Sequence, residues 1–300
     1  MPGAWKSGAF AHTRPADGAL RDAERWLREN ADRPFFLWVH LFEPHMPYES
    51  HEAPFDVFTY EESDELKRSE RDAPERAVPF YDSEIRYADD AVGELIALLA
   101  ELGVDDETVI VAVGDHGEHM SEQRAGRDKW FTHSEVYEEV CRVPLIVRLA
   151  PARSVRGCAP GSVATELVSV MDLGPALLDL AGVADPRSGS AGRSFLPLLR
   201  GAAWAARPVI VLAKPHAGLD TRVIRTSRWK LVARPGGSDE LYDLENDPLE
   251  LVNLAASLPS RRDSLRALLS LAVESWPSSA EESRLDPQAR EMLRALGYVN

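Results

Sequence analysis

Asp115, His116, Glu118 and His119 fall within five positions directly after the β-branched run TVIVAV (108–113), with Gly114 and Gly117 flanking the first pair. A carboxylate beside an imidazole is a donor pair for a divalent cation. Ca²⁺ or Mg²⁺ would want mostly oxygen ligands, whereas histidine favours Zn²⁺ or Mn²⁺. Adjacent side chains on an extended strand point to opposite faces, but a glycine-flanked turn lets both converge on one ion. The plainer alternative is a loop in which the acid caps the turn and the imidazole is solvated. A second group, Glu43 and His45, sits in HLFEPHMPYE (40–49), where Pro44 and Pro47 stiffen the chain and restrict where His45 points. A third, Lys129 and His133, lies in RDKWFTHSEVYEEVCRVPLIV, with His133 17 positions after His116. A cationic side chain there could bind or protonate a tetrahedral oxyanion ester, and its plain alternative is a solvated surface group.

These groups act together only if the chain brings them to one place. FFLWVHLF (35–42), bounded by Pro34 and Pro44, reads as a strand covered on both faces, and TVIVAV reads as another. Between them Tyr81, Ile85, Ala88, Val92, Leu95, Leu99 and Leu102 follow a 4-3-4-3-4-3 spacing that predicts a helix, with Gly103 placed to end it. Strand, helix and strand at this spacing imply a βαβ unit and a largely parallel sheet, and ligands bind at the carboxyl ends of such strands. The histidines of both loops would then face one crevice. VPLIVRL (143–149) predicts a further strand, and SVMDLGPALLDLAG (169–182) a further helix. A helix over 17–30 is predicted upstream with Asp17 as its acidic cap, and the polar stretch 50–79 reads as a long surface loop.

Beyond residue 200 the texture changes to short strand candidates, PVIVLA, RVIRTSRWKLVAR and ELYDL, separated by turn residues. They predict a small antiparallel sheet, followed by two terminal helices. The expected organisation is an α/β core over 1–200 and a C-terminal subdomain over 201–300.

Composition limits the function classes. Among 300 residues, 44% hydrophobic and 28% charged, there is enough apolar content for a sizeable core. A net charge of −15 argues against nucleic acid as partner, because neutralising phosphates needs clustered Lys and Arg. No run of about 18 apolar residues predicts a membrane span. Two cysteines, Cys141 and Cys158, are too few for a disulfide framework and read as packing residues. No signal-peptide pattern is visible at the N-terminus, which reads as cytoplasmic as the chain stands.

Taken in order, several of these segments resemble the sulfatase family of the alkaline-phosphatase-like superfamily. FFLWVHLFEPHMPY resembles the family's strand followed by Asp-Pro-His-x-Pro-Tyr, with Glu43 where Asp is usual. YDSEIRYADDAVGELIALLAELGVDDETVIVAVGDHGE resembles its helix, strand and Ser-Asp-His-Gly-Glu signature. FTHSEVYEEVCRVPLIVRLAP, SVMDLGPALLDLAGV, GRSFLPLLRG, RWKLVARP and ELYDLENDPLELVNLA resemble later landmarks. The resemblance implies an α/β fold with a mostly parallel sheet sandwiched by helices and a small C-terminal antiparallel sheet. It also implies metal-dependent hydrolysis of a small-molecule or glycan sulfate ester, with a formylglycine nucleophile made from Cys or Ser in C/S-x-P-S-R. Asp115 and His116 would be the distal half of a Ca²⁺ site, and His45 a sulfate-binding or leaving-group residue. His133, favoured over Lys129, would supply the cation that steadies the ester oxygen.

The chain departs from that pattern at its start. Only 34 residues precede FFLWVHLF, where the family's first acids and nucleophile motif belong, and the sole Cys-x-Pro, Cys158-Ala159-Pro160, continues as Gly161-Ser162. Cys158 is therefore rejected as nucleophile. The expectation is an N-terminally truncated sulfatase-like chain, periplasmic or secreted if an upstream start restores a signal peptide. Two alternatives stay open: a phosphoryl-transfer relative using Mn²⁺, Mg²⁺ or Zn²⁺, with two ions clamping attacking and leaving oxygens, and a catalytically inactive fragment. The oligomeric state is left open.

Overall fold

The computed structural model describes residues 15–45, 48, 78–120, 135–150, 160–184, 192–205, 207–213, 221–234, 236 and 238–274. The chain divides into two compact units, one ending at Thr108 and one beginning at Val109.

In the first unit, α1 (Ala16–Asn30) buries Ala16, Ala23 and Leu27. Pro15 precedes it, and the acid that caps its N-terminus is not Asp17 but Glu43, whose Oε1 accepts from the Ala16 N–H at 2.9 Å. Asp17 sits in the first turn, where a carboxylate meets the positive end of the helix dipole. α2 (Val78–Glu101) has the predicted periodicity, but its buried positions are Phe80, Ser83, Glu84, Ala91, Leu98 and Leu99. Phe80, Glu84, Ala91 and Leu98 lie one residue ahead of the apolar line Tyr81, Ile85, Val92 and Leu99, and Ile85 is exposed. The stripe is displaced because a buried carboxylate and hydroxyl, invisible to an apolar count, share the inward face. Gly103, at φ +71°, ends the helix as expected, and the next N–H, of Val104, returns to the Leu99 carbonyl at 3.0 Å. Arg28 of α1 donates to Glu101 of α2 at 2.8 Å.

Residues 34–42 form no helix and join no ladder with another described segment. Their exposure alternates, with Phe36 and Trp38 at 71% and 77%, so the expected covering on both faces is not found there.

In the second unit, β1 (Ile110–Val113) pairs with β2 (Leu145–Arg148) in antiparallel register, Ile110 opposite Arg148 and Val113 opposite Leu145. No parallel ladder occurs among the described residues. Helix-separated spacing indicates that strands are present; it does not determine which strand lies beside which. Between them α3 (Glu138–Cys141) is a single turn. A 3-10 turn at Val170–Asp172 leads into α4 (Leu173–Ala181), and its capping box joins the Ser169 side chain and the Asp172 carboxylate to each other's backbone. α5 (Leu196–Leu199) follows.

The predicted C-terminal antiparallel sheet is present. β3 (Val209–Ala213), β4 (Thr221–Arg225), β5 (Trp229–Ala233) and β6 (Glu240–Asp243) run in that order, each antiparallel to the next. The two-residue period of a strand sends alternate side chains to opposite faces. Ile224, Leu231, Ala233 and Leu241 pack one face against Ala255 and against Leu265 and Leu269 of α6 (Pro259–Glu274). Val223, Val232 and Tyr242 pack the other against Val136 and Tyr137. The second expected terminal helix lies outside the described residues, as does the expected 50–79 loop except for Val78 and Pro79, which instead open α2, and no described helix is long and apolar enough to cross a membrane.

Candidate functional site

The run IVAV commits β1 to an extended conformation, and Gly114 breaks it where the loop must turn. Its N–H donates to the Pro144 carbonyl at 3.2 Å, so the turn is tied to the chain entering β2. Asp115 Oδ1 then accepts the His116 N–H at 2.8 Å. His116 Nδ1 lies 2.9 Å from the Gly117 carbonyl, and because a carbonyl only accepts, Nδ1 carries the proton. That assigns His116 Nε2 as its ligand-capable nitrogen, and it lies 3.8 Å from Asp115 Oδ2. The glycine-flanked turn thus brings the carboxylate and the imidazole to one side, with Asp115 about two-thirds exposed and His116 largely covered.

The loop is held down further along. Gly117 donates to the Val140 carbonyl at 2.8 Å, and a Cβ at this position would stand 2.1 Å from the Glu139 carbonyl oxygen, so only glycine fits. His119 is buried, its Nδ1 against Glu139 Oε1. Burial pushes the Glu118 carboxyl up to about 7, opposed by the His119 N–H that it accepts and by the nearby His116. His119 therefore serves the docking of the loop on α3, whereas Asp115 is exposed and His116 is partly covered beside it.

α3 is fixed on its other side. Lys230, 1% exposed on β5, stands 3.1 Å from Glu138 Oε1 and 3.0 Å from Glu250 Oε1. Arg225 Nη2 reaches Glu138 Oε2 at 3.2 Å, and the Glu138 N–H donates to Glu250 Oε2 at 2.7 Å. Burial works to raise the Glu138 carboxyl, but Lys230 and Arg225 outweigh it and hold the group below its ordinary value. Cys141, half-buried, has its thiol pushed up by burial, as suits the packing role expected of it.

Of the other predicted site residues, His45 lies in the first unit. Its N–H donates to the Phe42 carbonyl at 3.0 Å, and its ring lies 4.7 Å from the Phe42 ring. Lys129 and His133 lie outside the described residues, as does Cys158, the rejected nucleophile. Among the described residues no third His, Cys, Asp or Glu joins Asp115 and His116 in a cluster. The two donors suit a divalent cation in type and separation but would make up only part of its shell. One nucleophile-like string escaped the sequence reading: Ser257-Leu258-Pro259-Ser260-Arg261 fits Ser-x-Pro-Ser-Arg. It opens α6, where Ser257 Oγ donates to the Leu254 carbonyl at 3.1 Å. α6 packs on the sheet face opposite the one that Tyr137 covers, so the string is a helix start away from the Asp115 loop.

Comparisons with known proteins agree with the ordered motifs. A family profile described as Sulfatase matches residues 14–183, and one described as N-sulphoglucosamine sulphohydrolase, C-terminal, matches residues 126–270. Choline-sulfatase of Rhizobium meliloti (strain 1021) is 31% identical over 299 residues, covering 88% of this chain and 56% of the relative. Arylsulfatase K of Mus musculus is 32% identical over 192 residues, covering 60% of this chain and 32% of the relative. The chain thus spans about half the length of the first relative and a third of the second. Among solved structures, one in complex with its substrate D-glucosamine-2-N,6-O-disulfate superposes with a TM-score of 0.68 at 19% identity, over 91% of this chain and 72% of that one. The phosphonate monoester hydrolase of Agrobacterium radiobacter superposes with a TM-score of 0.68 at 21% identity, over 91% and 63%. These likenesses show an alkaline-phosphatase-like α/β fold. With the Sulfatase profile matched over more than half of its length, the chain belongs to the sulfatase family.

Proposed function

We propose that this chain carries the distal metal-binding and ester-binding part of a sulfuric-ester hydrolase. The observation that carries the reading is the Asp115–His116 pair, its imidazole tautomer set by the Gly117 carbonyl and its Nε2 beside the Asp115 carboxylate. Asp115 and His116 would hold one side of a divalent cation, for which Ca²⁺ is the first choice in a mostly oxygen shell. When bound, such a cation neutralises the oxygens of an anionic ester and stabilises the charge that develops on them. His45 would bind the ester or protonate its leaving group, and His133, with Lys129 as the second choice, would supply a further cationic contact.

The substrate class follows from relatives named for choline and aryl sulfates and from a fold neighbour whose substrate is a sulfated glucosamine: a small-molecule or glycan sulfate ester. Neither Cys158 nor Ser257 is assigned as nucleophile. In this reading the nucleophile and the remaining metal ligands belong to a segment that precedes FFLWVHLF in the whole protein. The 1–200 core and 201–300 subdomain are retained as functional divisions, with the larger, mostly parallel sheet completed in that whole protein.

The test pairs binding with turnover. Calorimetric titration of the chain with Ca²⁺ and Mn²⁺ is expected to show one site, weakened by about a hundredfold or more in His116→Ala, since loss of an outer partner alone costs 10–100-fold. In a form of the protein that carries the nucleophile, hydrolysis of an aryl sulfate should exceed that of an aryl phosphate and collapse in the same variant. Equal metal affinity of the native and variant chains, or a preference for the phosphate, would overturn the assignment.

A further inference from the structure

Three landmarks of the sequence, YEE (137–139), WKL (229–231) and the acid of DPLE (247–250), take no part in the proposed chemistry, yet they meet in one buried cluster. We infer that the Glu138–Lys230–Glu250 cluster is a positioning device for the Asp115–His116 pair: it locks α3 onto the four-stranded sheet, and α3 holds the loop that presents the pair. The positioning stands by itself; its relevance to a cation rests on the proposed function.

The chemistry of the cluster is more expensive than packing requires. Lys230 shares its sheet face with Val223, Val232 and Tyr242, where an apolar side chain would fill the space, and isolated buried ions are strongly disfavoured. The charges balance locally, with the carboxylates of Glu138 and Glu250 against Lys230 and Arg225, the latter directly opposite Lys230 in the β4–β5 register. Glu250 is held at φ +55°, a conformation that disfavours side chains and persists when the surroundings over-determine it. Such an arrangement fixes geometry, because the ammonium and the two carboxylates meet well in one relative placement.

What it fixes is α3. One turn of helix has no stability of its own, so its place is set by its anchors. The Glu138 N–H is taken by Glu250, the Glu138 carboxylate by Lys230 and Arg225, and the Tyr137 hydroxyl by Glu240 at 2.7 Å. The opposite side of the same turn carries the loop through Gly117 to Val140 and His119 to Glu139. Gly117 has no room to slide against the Glu139 carbonyl, and its own carbonyl sets the His116 ring. A shift of α3 is therefore passed to His116 within one residue.

The test uses Lys230→Met combined with Glu250→Gln, which removes one positive and one negative charge and leaves Glu138 paired with Arg225. Amide hydrogen exchange in the native chain and this variant reads the loop directly. The Gly117 amide should lose at least about tenfold in protection while the β4–β5 ladder amides keep theirs. Unchanged Gly117 protection, or an equal loss over the whole sheet, would overturn the inference, the latter by showing a merely structural role. If the variant fails to fold, a sub-denaturing urea series on the native chain decides: Gly117 and Glu138 should open in one step, and separate steps would refute the coupling. Mn²⁺ titration of the same samples separates the two ideas. A foldable variant with a 10–100-fold weaker site supports both, whereas no binding by the native chain sinks the cation reading and leaves exchange to judge the positioning.

Discussion

Gly117 concentrates the demands on the loop, because its backbone is bonded to α3 on one side and to the His116 ring on the other. Gly117→Ala places a methyl group 2.1 Å from the Glu139 carbonyl oxygen, a backbone atom that can yield only if α3 moves. Overpacking of this kind costs about 1–3 kcal/mol, so a lower melting temperature and a weaker metal site should appear together in calorimetry of the variant. A variant as stable as the native chain would show that the loop has another resting place. The types and spacing of Asp115 and His116 made them legible in the sequence as a donor pair. Glu43, noted in the sequence as the neighbour of His45, has a carboxylate that caps α1. The Lys230 cluster could not be read in advance, since its members lie 92 and 20 positions apart along the chain and a lone lysine in a strand looks like a solvated one.

At the scale of elements, the helices over 16–30, 78–101 and 173–181 and the strands from Ile110 onward lie where periodicity put them, but FFLWVHLF joins no ladder among the described residues and the strand partners were not foreseen. β1 and β2 were expected as members of a parallel sheet and pair antiparallel with each other, because residue alternation carries no information about neighbours across a ladder. α1 owes its start to a residue 27 positions away, so Glu43→Ala should cost about 0.5–2 kcal/mol of stability, read from a denaturant curve. No change in the midpoint would mean that water replaces the carboxylate without loss. The small sheet has its own pH signature. Asp243 of β6 is held at about 2, below its ordinary 3.8, chiefly by hydrogen bonds from Arg228, which closes the β5–β6 pair from the exposed side. A folded-state value below the unfolded one stabilises wherever the carboxylate is ionised in both states, so the contribution is complete above about pH 4 and fades as pH falls toward 2. Asp243→Asn should flatten the melting-temperature profile in that window and leave its shape above pH 5 unchanged; an unaltered acid limb would assign the loss to other carboxylates.

For the molecule as a whole, the balance lies between a net charge of −15 and the apolar surface that the chain leaves uncovered. Phe36 and Trp38 are exposed on a stretch that joins no ladder among the described residues, and the Sulfatase profile runs through this stretch. Exposed aromatic side chains on a segment outside any ladder favour association with another chain. Like charge on every copy opposes that association, and it does so over a distance set by salt, about 10 Å at 0.1 M. The two effects predict a specific dependence: the 300-residue chain should sediment as a monomer at low ionic strength and associate as salt is raised, the reverse of an assembly held by ion pairs. Replacing Phe36 and Trp38 together by Ser removes the exposed aromatics without touching the charge, so the double variant should remain monomeric at both salt concentrations. Sedimentation velocity distinguishes the cases. A native chain that stays monomeric at high salt, or a double variant that still associates, would place the cohesive surface elsewhere, and the 34–42 stretch would then owe its exposure to nothing that matters for assembly.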